Sequence, residues 1–210
     1  MKNVLLRGPF LTLSGYGVHS RQIARWALQK KDWNVKVHAT PWGITPWFIN
    51  SDGEDGLVGK IMQKTVDTRN GLPKFDMSIQ VQLPNEWDPN LADINIGVTA
   101  CVETDRCNPQ WVDACNRMSA VVVPTTFTKK TLENTGNIKV PIIVIPESFY
   151  DEILDDNIPA LDHEFSTKFN FLVFGQLTGN NPENDRKNLF YTVKWLCEEF
   201  KDDPGVGIIL

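Results

Sequence analysis

The segment at residues 3–17, NVLLRGPFLTLSGYG, decides the fold of this chain. Its apolar run at residues 3–8 predicts a short buried strand that ends at the Gly-Pro pair. The glycine-rich loop Ser14-Gly15-Tyr16-Gly17 follows, and apolar residues then recur at helical spacing as far as Leu28. Alternating apolar side chains at residues 35–39 predict a second strand. Strand, glycine loop, helix and strand together make a βαβ unit.

The rest of the chain continues this alternation of strands and helices. Apolar alternation or continuous apolar runs predict further strands at residues 77–83, 94–102, 120–123, 142–145, 169–174 and 205–210. Apolar stripes and capping residues predict helices that begin near Leu57, at Asn108-Pro109, at Thr125 or Thr126, and near Leu189. Such alternation is typical of a parallel sheet covered on both faces. We therefore expect an α/β fold: a Rossmann-like doubly wound parallel sheet, followed by the first βαβ unit of a second Rossmann-like domain.

Composition and charge restrict the class of function. The chain has 210 residues, 41% hydrophobic and 22% charged, as in an ordinary globular protein of one large or two small domains. Its 21 Lys and Arg against 26 Asp and Glu give a net charge of -5, which argues against a general nucleic-acid binder. No apolar run approaches the length of a membrane helix, and the first residues lack the apolar length of a secretory signal. Four cysteines without metal-like spacing predict reduced thiols in a cytoplasmic protein.

A change of composition divides the chain. Residues 150–167 are acidic and polar, and they predict a linker with some helical content. We expect a first domain at residues 1–149 and the start of a second at residues 168–210. Natural termini usually lie at the surface, whereas residues 205–210 predict a buried strand, so we expect the second domain to be truncated.

The loop Ser14-Gly15-Tyr16-Gly17 has two interpretations. Glycines let the backbone approach a ligand, and amides at a helix start bind anions, which favours a ligand site at the carboxyl edge of the sheet. Alternatively, the glycines only make a tight turn. The loop is not a dinucleotide fingerprint, because Ser20 stands where the third glycine would be, and it is not a Walker loop.

Two charged clusters are further candidates. Cys101-Val102-Glu103-Thr104-Asp105-Arg106 follows a predicted strand, where its acids and arginine either meet a polar substrate or form a solvated loop. Asn184-Asp185-Arg186-Lys187-Asn188 places two cations at a helix start, where they oppose the helix dipole. A bound phosphate would explain these cations, and ordinary surface charge is the alternative.

Aromatic and histidine residues give weaker signals. Trp42, Trp47 and Phe48 are either a surface on which a sugar stacks or part of the core, and the core is the favoured interpretation. The three histidines are separate in sequence and indicate no metal site.

Six segments, in order along the chain, carry a family resemblance. They are the strand, glycine loop and helix of residues 4–28; residues 96–105, which run into Glu-Thr-Asp and are followed by Asn108-Pro109-Gln110-Trp111; residues 118–128, which are similar to a strand reading V-x-V-P-S-x-F; residues 140–148; residues 171–177; and Arg186-Lys187-Asn188-Leu189. The chain resembles the retaining glycosyltransferases of the GT-B fold, in the large family-4-like group (glycosyl transferases group 1). One such segment is weakly specific, whereas six in the correct order are quite specific.

The resemblance implies that a sugar moves, with retention, from a nucleotide-sugar donor such as a UDP- or GDP-sugar to an acceptor. It implies no cofactor and no essential metal, with the acceptor held mainly by the first domain, the donor mainly by the second, and reaction in the cleft between them. Carried over by position, Glu103 and Asp105 would be catalytic, and Thr104 and Arg106 would lie on the acceptor side. The residues that would bind the donor and its phosphates are Gly15, Tyr16, Gly17, Gln176, Arg186 and Lys187. The acceptor stays open between a glycan, a lipid, a protein and a modified nucleic acid.

Two departures from the family pattern favour other functions. Gln176 stands where the family commonly has an arginine, so one of two expected diphosphate cations is replaced. The family's later acidic motif has no counterpart in these 210 residues, so we expect the chain alone to have little or no transferase activity. A non-catalytic binding or scaffold protein that retains the fold is the alternative function. A different doubly wound nucleotide-binding enzyme, such as an oxidoreductase, is a weaker one.

Overall fold

A computed structural model of the chain describes residues 1–69, 71–155, 157–159, 162–175, 181–185 and 187–210. It divides into two units, Met1–Tyr150 and Asp151–Leu210. The sequence prediction for Gln176 and Arg186 lies outside the described residues.

Six parallel strands form the sheet of the first unit. In chain order they are β1 (Lys2–Gly8), β2 (Trp33–Ala39), β3 (Phe75–Val81), β4 (Ala92–Val98), β5 (Ala120–Val123) and β6 (Ile142–Val144). In space their order is β2-β1-β3-β4-β5-β6, and Leu6 of β1 lies opposite both Val37 of β2 and Ile79 of β3. The chain therefore reverses its direction of travel across the sheet between β1 and β3. In doubly wound sheets, ligands bind outside the carboxyl ends of the strands at this point.

Helices cover both faces of the sheet. They are α1 (Gly15–Leu28), α2 (Gly53–Lys64), α3 (Gln110–Asn116) and α4 (Thr126–Thr135). Alternate residues of β5 point to opposite faces: Val122 packs against the cluster that includes residues of α1 and α2, whereas Val121 and Val123 pack with Leu132 of α4. The α/β, Rossmann-like architecture predicted from the sequence is confirmed.

The larger core cluster lies between the sheet and the helices α1 and α2. Its fully buried members come from three strands, two helices and the loop after β1, and they are Val4, Leu6, Phe10, Ala24, Ala27, Val37, Val58, Ile61 and Val81. Burial of one such aliphatic side chain contributes about 1.5–3 kcal/mol, so this layer supplies a large part of the stability of the unit. It fixes the strand ends from which the candidate site is built.

The second unit contains one βαβ arrangement. Its elements are a 3-10 helix at Asp151–Leu154, β7 (Phe169–Leu172), a 3-10 helix at Pro182–Asn184, α5 (Leu189–Glu199) and β8 (Val206–Ile209). The strands β7 and β8 are parallel, and Phe171 lies opposite Ile208. The ring of Phe171 also packs at 5.3 Å from the ring of Phe200, which follows α5.

Most strands lie within one or two residues of their predicted bounds, and two boundaries show how distant contacts decide where an element begins or ends. The strand predicted at residues 94–102 ends at Val98, because the hydroxyl of Tyr16 bonds to Thr99 and Ala100 and Cys101 adopts a left-handed φ of 59°. The prediction is therefore wrong for residues 99–102. The helix α2 is assigned from Gly53, but Glu54, Asp55 and Gly56 have left-handed backbone, so its right-handed part begins at Leu57 as predicted.

None of the helices in the described part of the chain combines the length and the apolar character needed to cross a membrane.

Candidate functional site

Three loops meet at the carboxyl edge of the first sheet, and Tyr16 connects them. Its ring stacks on Trp42, in the loop after β2, with 4.1 Å between ring centroids. Its hydroxyl lies 3.0 Å from Thr99 Oγ1 and accepts a hydrogen bond from the amide of Ala100 at 2.9 Å, both just after β4. Burial raises the pKa of Tyr16, so its phenol stays protonated and can donate to Thr99. The side chain thus fixes the relative positions of the loops after β1, β2 and β4.

The two glycines of the first loop differ in what surrounds them. Ser14 caps α1, since its Oγ accepts from the amide of Gly17 at 2.9 Å. A Cβ on Gly17 would lie 2.8 Å from Thr12 Oγ1 and closer still to the Thr12 carbonyl oxygen, so this glycine permits a tight turn. A Cβ on Gly15 would meet nothing within 4 Å. Only Gly15 therefore has open space beside it for a ligand.

A buried arginine holds the loop between β1 and α1. Arg21 is 3% exposed, and its guanidinium donates to the carbonyl oxygens of Phe10 at 3.2 Å and Thr12 at 2.9 Å. Its Nε forms an ion pair with Glu54, whose other oxygen accepts a hydrogen bond from the Tyr150 hydroxyl at 2.7 Å. The charge of Arg21 is compensated inside the unit, which lets an arginine lie in the buried stripe of α1.

The same ion pair explains the unusual start of α2. Glu54 and Asp55 have φ values of 50° and 57°, a left-handed backbone that costs about 1–3 kcal/mol per non-glycine residue. This conformation brings the Glu54 carboxylate to Arg21, and the charge-assisted hydrogen bonds offset the strain.

The aromatic residues after β2 are divided between surface and interior. Phe48 packs against the larger core cluster, and the guanidinium carbon of Arg21 lies over its ring, 5.1 Å from the ring centroid. Trp47 is 49% exposed, and its backbone forms an isolated antiparallel β-bridge with Thr12 of the first loop. Trp42 is half-buried by its stacking on Tyr16. The core interpretation therefore holds for Phe48, whereas Trp47 belongs to the surface.

The loop between β4 and α3 is held by α4. Thr131 Oγ1 donates to the carbonyl oxygen of Thr104 at 2.8 Å, and Asn134 donates to that of Asp105 at 3.3 Å. The amide of Cys107 donates to Thr135 Oγ1 at 2.9 Å. These contacts use backbone atoms of the loop, so they position it without occupying its carboxylates.

The side chains predicted as catalytic or acceptor-side are all exposed. Glu103, Thr104, Asp105 and Arg106 lie in this loop, and Thr104 Oγ1 donates to the carbonyl oxygen of Arg106 at 2.7 Å. Carboxylates and a guanidinium at the carboxyl end of a parallel strand can bind a polar, hydroxyl-rich ligand. Their individual roles stay predictions.

In the second unit, the helix start is capped by a carboxylate. Asp185 is 8% exposed, and its Oδ2 accepts from the amides of Leu189 at 2.7 Å and Phe190 at 3.4 Å. Its Oδ1 accepts from the amide of Lys187 at 3.1 Å, and the Lys187 side chain is exposed. An internal anion therefore already compensates the helix dipole at the first turn of α5. Lys187 remains available to a phosphate in solution.

The structure brings part of the predicted set together. Gly15, Tyr16 and Gly17 belong to one turn, and Tyr16 connects that turn to Thr99, four residues before Glu103. Lys187 belongs to the second unit. Among the described residues, no group of three or more His, Cys, Asp and Glu side chains is arranged to hold a metal ion.

The roles of three residues in the two units were not predicted from the sequence. The burial of Arg21 could have been inferred from the sequence, because Arg21 lies on the same face of α1 as the buried residues Gly17 and Ala24. The capping role of Asp185 could also have been inferred, since aspartate before an apolar helix is a common cap. Thr99 had no such signal: its role depends on contact with Tyr16, 83 positions away in the chain.

Comparison of the chain with protein-family models, curated proteins and solved structures finds no match. The function proposed below therefore depends on the residues and their arrangement.

Proposed function

We propose that this protein is a glycosyltransferase that moves a sugar from a nucleotide-sugar donor to an acceptor with retention of configuration. The observation that supports it best is the junction at Tyr16. There the glycine turn and the strand that runs into Glu103-Thr104-Asp105-Arg106 are joined at the carboxyl edge, where the strand order reverses. This geometry fits the ordered resemblance to the GT-B glycosyltransferases, whose two-domain arrangement is part of the proposal.

The chemistry assigned to each group follows from its charge and exposure. A departing nucleoside diphosphate gains negative charge, which a fixed cation such as Lys187 stabilises. Glu103 and Asp105 are exposed carboxylates that accept hydrogen bonds from the hydroxyls of a sugar or an acceptor. Gly15 offers backbone beside open space at the start of α1. Thr104 and Arg106 lie on the acceptor side of the same loop.

Donor binding is tested first by thermal unfolding with UDP-sugars, GDP-sugars and NAD. A ligand that binds only the folded chain stabilises it by about 2.7 kcal/mol at 100 times its Kd. We expect a nucleotide sugar to raise the Tm and NAD to leave it unchanged. Lys187→Ala should reduce the increase, and Lys201→Ala, which removes another exposed lysine, is the matched control. Stabilisation by NAD alone would favour an oxidoreductase and contradict the proposal.

Turnover is tested second, by release of UDP or GDP in the presence of candidate acceptors, in a protein that adds the family's later acidic motif to these 210 residues, because the 210 residues alone are expected to have little or no activity. Glu103→Gln and Asp105→Asn should lower turnover in that longer protein while donor-induced stabilisation persists. Donor binding without turnover in the longer protein would instead support a non-catalytic binding protein. One observation favours that second candidate: Asp185 already occupies the helix-start amides that a donor phosphate could use.

A further inference from the structure

A row of polar side chains crosses the face of the first sheet that points away from α1 and α2. Arg7 of β1 lies opposite both His38 of β2 and Gln80 of β3 in the register of the parallel strands. Leu6 and Val37, one position earlier on their strands, pack in the cluster that includes residues of α1 and α2. Because successive side chains of a strand alternate between faces, the row lies on the opposite face. Arg7 and His38 are both half-buried there.

The guanidinium of Arg7 is anchored through one of its nitrogens. Its Nη1 donates to Gln82 Oε1 at 2.6 Å and to the carbonyl oxygen of Glu86 at 2.5 Å. The same nitrogen lies 3.4 Å from Gln80 Oε1. Nε and Nη2 have no acceptor among the residues that the structure describes. Since a guanidinium carries five N–H donors in a planar fork, the edge formed by Nε and Nη2 remains available to a ligand.

The acids nearest to Arg7 use their carboxylates elsewhere. Glu86 Oε2 accepts from the amide of Leu83 at 3.1 Å, and Asp88 Oδ1 accepts from the amide of Asn90 at 2.9 Å. In the described part of the chain, Arg7 forms no ion pair. Burial lowers the pKa of Arg7 by more than the charges of Asp88 and Glu86 raise it. A partly desolvated cation without an ion partner is unfavourable, and a bound anion would relieve that cost.

Three further polar groups on this face lack partners. Gln82 is 4% exposed, and its amide nitrogen has no acceptor among the described residues, although its oxygen accepts from Arg7. Within the same ranges, His38 Nδ1 and Thr40 Oγ1 are buried without a hydrogen-bond partner. Thr40 continues the line of His38, since its amide donates to the Gly8 carbonyl oxygen at 2.8 Å. Buried polar groups are normally hydrogen-bonded, so this concentration of unpaired groups indicates a polar ligand.

The charges around the row favour a singly charged anion. Arg7 and Lys36, which precedes His38 by two positions on the same face, are cationic, whereas Glu86 and Asp88 are anionic. Burial and the charge of Arg7 lower the pKa of His38, so its imidazole is neutral and adds no charge. A phosphate dianion would be repelled by the two acids. A carboxylate has one charge, and its two oxygens match the paired N–H groups of a guanidinium edge.

We propose that Arg7, His38 and Gln82 form a binding site for a small molecule that carries a carboxylate. The carboxylate accepts two parallel hydrogen bonds from Nε and Nη2 of Arg7, and other polar groups of the ligand bond to the Gln82 amide and the His38 imidazole. The site is separate from the glycine turn, because α1, which begins at Gly15, packs on the other face of the sheet. The inference does not depend on the proposed transferase activity, since this binding requires neither a donor nor turnover.

The test is an NMR titration of the full, isotope-labelled chain with D-glucuronate. D-glucose is the matched probe, because it has the same ring with a neutral hydroxymethyl group in place of the carboxylate. We expect saturable shifts of the Arg7 Nε–H and His38 imidazole signals with D-glucuronate, and none with D-glucose or with sodium chloride at equal ionic strength. In the complex the pKa of His38 should rise, because the bound anion offsets the charge of Arg7.

Substitutions test the role of the guanidinium. Arg7→Gln should weaken the binding of D-glucuronate by about tenfold or more, because charge-assisted hydrogen bonds are lost. Arg7→Lys keeps the charge but removes the paired donors, so it should also weaken binding. Arg117→Gln, which removes an exposed arginine after α3, is the matched control and should bind as the wild type does. Circular dichroism checks that each variant is folded, and the wild-type signals decide the question for any variant that is not.

Four outcomes would overturn the proposal. They are an equal response to D-glucose, shifts that do not saturate, an equal loss of affinity in Arg117→Gln, and an unchanged pKa of His38 at saturation. Tighter binding of inorganic phosphate than of D-glucuronate would also overturn it, because the charges around Arg7 would then not select a carboxylate.

Discussion

Gly15 and Gly17 stand two positions apart in the same turn, yet different physical constraints act on them. At Gly17 the Thr12 backbone and hydroxyl fill the space that a Cβ would need. At Gly15 that space is open. The requirement for glycine at position 17 is therefore one of packing inside the unit, whereas glycine at position 15 leaves access from outside.

A matched pair of substitutions tests this difference. Gly17→Ala should lower the free energy of unfolding by about 1–3 kcal/mol, because the added methyl group must displace the Thr12 carbonyl. Gly15→Ala should leave it unchanged or raise it slightly, since alanine is a better helix former. Urea unfolding measures both. Equal effects of the two substitutions would contradict this account of the turn.

Arg21 shows what residue-level prediction from sequence can and cannot give. Its position in the apolar stripe of α1 indicates burial, and a buried guanidinium requires acceptors. Nothing in the sequence identifies those acceptors as the Phe10 and Thr12 carbonyls and a glutamate 33 positions away. The local sequence pattern therefore predicts that Arg21 needs hydrogen-bond acceptors, whereas their identity depends on the folded structure.

At the scale of elements, the sequence is most informative where local chemistry decides the boundary. The strand β5 has the predicted bounds, since a continuous apolar run ends at Pro124. The helix α4 begins after its cap Thr125, whose side chain accepts from the amide of Thr128, and is followed by Gly136. At β4 and α2 the boundary depends on Tyr16 and Arg21 instead, and distant contacts of this kind leave no periodic signal.

The start of α5 gives a prediction at this scale. Asp185→Ala should destabilise the helix by about 1 kcal/mol, because the amides of Leu189 and Phe190 lose their acceptor. Hydrogen exchange at those two amides should become faster. Asp202→Ala, which removes an exposed carboxylate after α5, should leave their exchange unchanged. If exchange stays slow in Asp185→Ala, the cap is not what protects the first turn.

At the scale of the whole molecule, burial raises the pKa of several groups, so the folded chain keeps them protonated at a higher pH than the unfolded chain does. Burial raises the pKa of the Cys101 and Cys115 thiols from 9.0 to about 12, and it also raises the pKa of Tyr16. When the chain unfolds above about pH 9, these groups lose protons that the folded chain retains. The folded state then binds more protons than the unfolded state, so stability falls as the pH rises.

This alkaline dependence can be measured in reducing conditions. The free energy of unfolding should be lower at about pH 10.5 than at about pH 8, within the range set by the raised thiol pKa values. Cys115→Ala should make the decrease smaller, because it removes one buried titrating group. Cys197→Ala, at an exposed position, is the control and should keep the wild-type decrease. A decrease that is the same in both variants would assign the effect to other groups.

The candidate site as a whole was predictable only in part. Parallel strands end at one edge, so the sequence order of strands and loops already indicates that the glycine turn and the Glu103–Asp105 segment share that edge. The contact that joins them, from Tyr16 to Thr99, depends on the spatial order β1-β3-β4.

The hydrogen bond from Tyr150 to Glu54 determines where a fragment that contains only the first unit should end. A recombinant fragment that stopped after β6 would lack both this bond and the one that Gln22 donates to the Ser148 carbonyl oxygen at 2.6 Å. Glu54 would keep its pairing with Arg21 but lose the hydrogen bond that it accepts from the Tyr150 hydroxyl. For that reason a fragment of the first unit should end after Tyr150, several residues beyond the last strand of its sheet.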